Sequence, residues 1–255
     1  MKPSTRRIRA AALVPLLAAL AGFACGPAAA DDQALWRIVD SGCRGGAQAS
    51  PAGAPPGSGG QALVCDAARG YAVLKDRCGA THYLVVPIAR RIGIESPELL
   101  RPDEPRYLAL AWGQRGRSLG AGAEGGSGAA SPADVGLAVN SRYGRSQSQL
   151  HVHIDFVRPE VRAALQSLPR PVVPGTRVRL SRHDYRVDPL ESLDGNLVEQ
   201  VAREWGAESE DDRARLTVAV VSDGGAGYFL LSDRADPLEL DRGHAEELLI
   251  ERMCR

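Results

Sequence analysis

Aromatic side chains make up only 5% of the chain, with three Phe, three Trp and six Tyr. So few rings argue against a platform on which successive nucleic-acid bases stack. An excess of positive charge is missing too. The 31 Lys and Arg are balanced by 31 Asp and Glu, and such a chain advertises no broad polycationic face for a phosphate backbone. No nucleic-acid partner is expected. The five cysteines include no Cys-x-x-Cys pair, which removes the usual spacing of a thiolate zinc site. The apolar run from Ala10 to Cys25 is interrupted by Pro15 and is short against the roughly 20 residues a bilayer span requires. No internal repeat is obvious at the residue level.

That apolar run belongs to a leader. Lys2, Arg6, Arg7 and Arg9 precede it, and Ala28-Ala29-Ala30 follow it before Asp31-Asp32, the layout of a signal peptide with a small-residue cleavage site. Residues 1–30 are therefore expected to be a cleaved leader or an uncleaved N-terminal anchor. Gly22-Phe23-Ala24 before Cys25 makes a poor lipobox. Without the leader's four cations the balance is 31 − 4 = 27 against 31, so the exported chain is slightly acidic. The remaining chain can be one large domain or two modest ones.

Export makes Cys43, Cys65, Cys78 and Cys254 candidates for disulfides. Residues 45–60 between the first two are rich in Gly and Pro and cannot build a core. A Cys43–Cys65 bond would close that loop, worth about 3 kcal/mol on the chain-entropy model. Cys78–Cys254 follows by elimination.

The pattern predicts a short helix over Asp32–Val39, a hairpin of Tyr71–Leu74 and Tyr83–Pro87, and a helix start at Ser96-Pro97-Glu98. A longer helix is expected from about Arg106 to Arg115, a surface loop over Gly120–Ala130, and a strand over Leu137–Asn140. Pro159–Arg162 starts a short helix. Val178–Tyr185 is expected as one strand, Gly195–Trp205 as a helix, Thr217–Val221 with Tyr228–Ser232 as a hairpin, and Arg242–Met253 as a helix. This succession predicts α+β rather than a parallel sheet. Residues 31–165 would form a catalytic core and 166–255 a C-terminal α+β part packed on it, whose element order loosely echoes the first as a degenerate second copy.

The chemistry concentrates near the end of the first part. Leu150, Val152, Ile154 and Phe156 alternate with Gln149, His151, His153 and Asp155, the period of a strand with one buried face. An H-x-H pair on a strand is weak by itself. Immediately upstream, however, Asn140-Ser141-Arg142-Tyr143-Gly144-Arg145-Ser146 supplies the residue types that wrap an anion. Ser146 and Arg142 are the leading phosphate contacts, with Arg145 a rival to Arg142 and Asn140 and Lys75 weaker. His82 and His244 read as solvated structural residues.

Gln149-Leu150-His151-Val152-His153 resembles the histidine-triad motif, and Gly144-Arg145-Ser146 falls where that superfamily places its phosphate loop. Within it, Gly70–Asp76, Gly93–Pro97, Ala138–Arg142 and Gly144–Gln147, followed by His-x-His, are similar to the bacterial CDP-diacylglycerol pyrophosphatases. The resemblance covers most of the chain after the leader. It implies a histidine-triad-like antiparallel sheet with helices on one face. It implies hydrolysis of CDP-diacylglycerol to CMP and phosphatidate, a membrane surface as partner, and a site on the periplasmic side of the inner membrane or in the periplasm. His151 matches the nucleophilic middle histidine and His153 the last one. Gln149 stands where the triad has its first histidine; it can donate an N–H to a phosphate but cannot act as an acid. His183, in a His-acidic-Tyr run that the family shares, is a further candidate.

No cofactor or metal is expected. Two other classes stay open: a metal-dependent phosphodiesterase with His151, His153 and Asp155 as ligands, and a non-catalytic nucleotide- or lipid-binding module. The first is disfavoured because alternating residues on one strand spread over about 14 Å.

Overall fold

The computed structural model describes residues 31–44, 62–77, 79–124 and 131–250. Leader residues 1–30, and the expected Cys78–Cys254 pair, lie outside the described residues. Residues 31–255 make one compact unit, built on a nine-stranded antiparallel sheet of order β1-β2-β3-β5-β4-β8-β9-β7-β6.

The strands are β1 (Leu63–Asp66), β2 (Tyr71–Lys75), β3 (Tyr83–Pro87), β4 (Val135–Val139), β5 (Val152–Phe156), β6 (Thr176–Leu180), β7 (His183–Leu190), β8 (Leu216–Ser222) and β9 (Tyr228–Arg234). The helices are α1 (Ala34–Arg44), α2 (Tyr107–Gly113), α3 (Gly116–Glu124), α4 (Pro159–Gln166), α5 (Leu197–Glu204) and the single turn α6 (Glu210–Arg213). The fold is α+β.

A set of four strands, β2-β3-β5-β4, with β1 added at its outer edge, meets a second set of four, β8-β9-β7-β6, where β4 pairs with β8. In one, β3 pairs β5 and β5 pairs β4; in the other, β7 pairs β9 and β9 pairs β8. The strand order β2-β3-β5-β4 is thus repeated by β6-β7-β9-β8, and strands from before and after residue 165 join in one sheet through the β4–β8 pair.

Burial on both sides follows from strand residues alternating between faces. One face carries Val73, Val85, Leu137, Val152, Ile154, Val218 and Leu230 against Leu108, Trp112, Leu197 and Val201 of α2 and α5. The other face has two patches. Ala72, Leu74, Leu84 and Val86 pack on Leu35 and Val39 of α1, while Ala138, Val187, Ala219 and Leu231 pack with Val161 and Leu165 of α4. Helices therefore cover both faces, not one, because the strand residues of both faces are apolar. Cys43 and Cys65 are disulfide-bonded, tying α1 to edge strand β1.

Several elements differ from the sequence expectations. The single strand over Val178–Tyr185 is two, reversed at Ser181 and Arg182, whose φ values of 45° and 79° form a tight left-handed turn. The Gly120–Ala130 loop is partly helical, since α3 reaches Glu124. Of the helix expected over Arg242–Met253, the described residues 242–250 hold only a 3-10 turn, at Ala245–Leu248. Gly243 breaks it with φ 62°, and Val157 pairs with Leu249 immediately after it.

Candidate active site

β5 lies between β3 and β4, with His153 opposite Leu84 on one side and Ala138 on the other. His151 and His153 are both buried, with ring centroids 4.8 Å apart. The chain enters β5 from Asn140–Leu150, which is held close to the segment after β9. Ser141 N donates to the Gly243 carbonyl at 3.0 Å, and the Ser141 hydroxyl donates to the Arg242 carbonyl. A Cβ on Gly144 would lie 2.4 Å from His244 and 2.7 Å from the Gly243 carbonyl, so glycine permits this approach.

His151 is anchored by Nδ1, 2.7 Å from the Gln149 carbonyl. A carbonyl only accepts, so Nδ1 carries the proton and Nε2 keeps its lone pair. Burial, reinforced by His153, pushes His151 from 6.5 down to about 4. The ring is therefore neutral near pH 7, with a nucleophilic nitrogen.

His153 is held at both ends. Nε2 lies 2.9 Å from Glu246 Oε2, and Nδ1 lies 2.9 Å from Nε2 of His82. Burial alone would raise the Glu246 carboxyl, but the charge and hydrogen bond of His153, helped by Asn140, hold it below the usual carboxylate range. Burial and the neighbouring His153 push His82 down to about 4, which makes it a neutral acceptor. His82 Nδ1 in turn faces Asp76 Oδ2 at 3.6 Å. The chain Asp76–His82–His153–Glu246 thus accommodates His153 with a proton on each nitrogen.

The structure brings His82 and Glu246 into the site, although sequence reasoning treated His82 as solvated and passed over Glu246. His82 is 13% exposed. A period-2 reading carried back from β3 would have placed it on the face of Leu84 and Val86. Glu246 carries no local signal.

The other candidates are distributed as follows. The Gln149 side chain is engaged by backbone: Nε2 donates to the carbonyls of Pro87 and Ala89 at 3.0 and 3.1 Å, and Oε1 accepts from Arg91 N and Arg90 at 3.3 Å. It latches residues 87–91 under β5 instead of pointing an amide at a ligand. Arg145 makes a bidentate pair with Glu95 at 2.7 and 2.6 Å, and its positive charge also acts on His151. Arg142 is 58% exposed and 3.8 Å from Asp211. Ser146 is exposed. Asn140 Oδ1 accepts from Glu246 N at 3.1 Å. Lys75 Nζ donates to the carbonyls of Asp76, Gly79 and His82, stapling the β2–β3 turn. Asp155 accepts from Thr81 at 2.6 Å and from Phe156 N at 2.8 Å. His183 lies in a separate cluster with Asp241 and Glu247.

Residues 30–255 match the family model of CDP-diacylglycerol pyrophosphatase. A CDP-diacylglycerol pyrophosphatase of Yersinia pestis is 36% identical over 193 residues, 70% of each chain. Among solved structures, yeast Ap4A phosphorylase in complex with Ap4A is similar at TM-score 0.38 and 16% identity, over 63% of this chain and 56% of that one; a likeness of that degree carries no argument. A buried neutral imidazole beside a doubly held histidine suits a hydrolase acting on a diphosphate bond. The chain belongs to the CDP-diacylglycerol pyrophosphatase family.

Proposed function

We propose that the chain hydrolyses CDP-diacylglycerol to CMP and phosphatidate, with His151 as nucleophile. Nε2 of His151 attacks the phosphorus that bears the nucleoside, forming an N–P bond. The bond from that phosphorus to the bridging oxygen breaks, and phosphatidate leaves with the oxygen. Water then attacks the same phosphorus, the N–P bond breaks, and CMP departs with His151 restored. Phosphatidate is a phosphate monoester of low pKa, so its departure does not need a first triad histidine as acid.

The observation that carries this reading is the 2.7 Å contact between His151 Nδ1 and the Gln149 carbonyl, which leaves Nε2 as the free nitrogen of a neutral ring. His153, whose two N–H groups are held by Glu246 and His82, supplies positive charge beside the phosphorus, where phosphoryl transfer needs stabilisation of the equatorial oxygens. Ser146 and Arg142 at the loop and the charge of Arg145 complete the proposed phosphate surroundings. The leader would deliver the enzyme to the periplasmic side of the inner membrane or to the periplasm, where a lipid substrate presents its headgroup. Among the described residues no helix is long and apolar enough to cross a membrane.

Hydrolysis in water labelled with heavy oxygen tests the side of attack. The label is expected in CMP and absent from phosphatidate; label in phosphatidate would overturn the assignment.

A further inference from the structure

A second polar cluster shares the histidine face of the sheet but lies in its other half, unused by the mechanism above. Tyr185 and Val187 of β7 and Leu231 of β9 pack with Ala138 on that face. By strand alternation His183 and Asp233 project from the same side. His183 Nδ1 is 2.9 Å from Asp241 Oδ2 and 3.9 Å from Asp233 Oδ2, and His183 Nε2 is 3.4 Å from Glu247 Oε1. One ligand atom from each of His183, Asp233 and Asp241 lies within 4.8 Å of the others.

Three carboxylates thus crowd one imidazole. Asp233 Oδ2 and Glu247 Oε1 are buried without a hydrogen-bond donor among the described residues. Arg177 acts on Asp233, and His244 and Arg182 act on Glu247, but none of them donates to these oxygens. Tyr185 is fully buried and its hydroxyl is likewise unpartnered. It is close enough to the cluster that burial together with the charges of Glu247, Asp233 and Asp241 pushes its phenol well up. Buried oxygens in this state lack the direct hydrogen-bond donor that would offset their desolvation.

We propose that His183, Asp233 and Asp241, with Glu247 and Tyr185 beside them, bind one divalent transition-metal cation of the Zn²⁺ or Mn²⁺ class. One imidazole nitrogen with several carboxylate oxygens suits that borderline class. The site would be structural. Asp241 and Glu247 belong to the segment after β9 that also carries Glu246, so the cation would clamp this segment onto β7 and β9 and keep Glu246 at His153. The sequence reading expected no metal, and this proposal departs from it.

Calorimetric titration of the full chain with ZnCl₂, after removal of metal by chelation, tests the proposal. One saturable equivalent is expected, with a rise in Tm, and Asp241→Asn should weaken binding by about tenfold or more. His153→Ala should leave binding unchanged. As a readout that needs no variant, Mn²⁺ should broaden the His183 ring resonances of the parent chain in preference to those of His82. Lack of saturable binding, broadening centred on His82, unaltered binding by a folded Asp241→Asn, or loss of binding in His153→Ala would each overturn it.

Discussion

Nε2 of His82 lies 2.9 Å from Nδ1 of His153, and the two rings stack with centroids 5.1 Å apart. His153 cannot rotate away from Glu246 without breaking this contact, so His82 is a positioning residue for the proposed site. His82→Ala is expected to lower kcat by about 1.5–3 kcal/mol, the range for a hydrogen bond involving a charged group, or about 10- to 150-fold. His82→Gln, which can still accept from His153, should recover part of the loss. Equal damage by both variants, or none, would show that the contact does not position His153.

Gln149 is expected to act on stability before chemistry. Its buried amide serves two carbonyls and two donors, and Gln149→Leu leaves them unsatisfied at about 1–3 kcal/mol per buried group. Urea unfolding should report a loss on the order of 3 kcal/mol. A collapse of kcat with unchanged stability would instead mark Gln149 as a substrate contact.

Acid should weaken the fold in a defined window. His151 and His82 are held down at about 4 from 6.5, chiefly by burial. The unfolded chain therefore takes up their protons first. Their contribution is fully present above about pH 6.5 and is lost as pH falls towards 4. Glu246, also lowered, works in the same direction. Asp233, raised to about 6 by burial, works oppositely, its contribution being lost as pH rises through 6. The net expectation is a fall on the order of 2 kcal/mol in unfolding free energy between pH 7 and pH 5. A flat profile over that range would contradict neutral buried imidazoles.

The Cys43–Cys65 bond closes a segment with a sequence separation of 22. Replacing both cysteines by serine should lower stability by about 3 kcal/mol on the chain-entropy model, without changing KM. Stability equal to that of the parent would mean that α1 and β1 are held by packing alone.

Local signals made much of this legible. The alternation around His151 and His153 located β5, the Gly/Pro-rich segment pointed to the Cys43–Cys65 staple, and turn residues marked the β2–β3 and β8–β9 hairpins. What escaped depends on contacts distant in sequence. Glu246 reaches His153 across 93 positions, and the helix expected around it gives way to Gly243 and to the pairing of Leu249 with Val157. Arg145 has the type of a phosphate ligand, but its pairing with Glu95, 50 positions away, is a tertiary fact. The role of Gln149 likewise depends on residues 87–91, which no period along β5 reveals.

The central claim is a cytidylyl group carried on Nε2 of His151. Rapid alkaline quenching of the enzyme during turnover of CDP-diacylglycerol, followed by peptide mass spectrometry, tests it most directly, since a phosphoramidate survives alkali. The account predicts a cytidylyl increment on the peptide containing His151, no increment in His151→Ala, and no turnover by that variant. Turnover by His151→Ala, or an increment located on another residue, would contradict it.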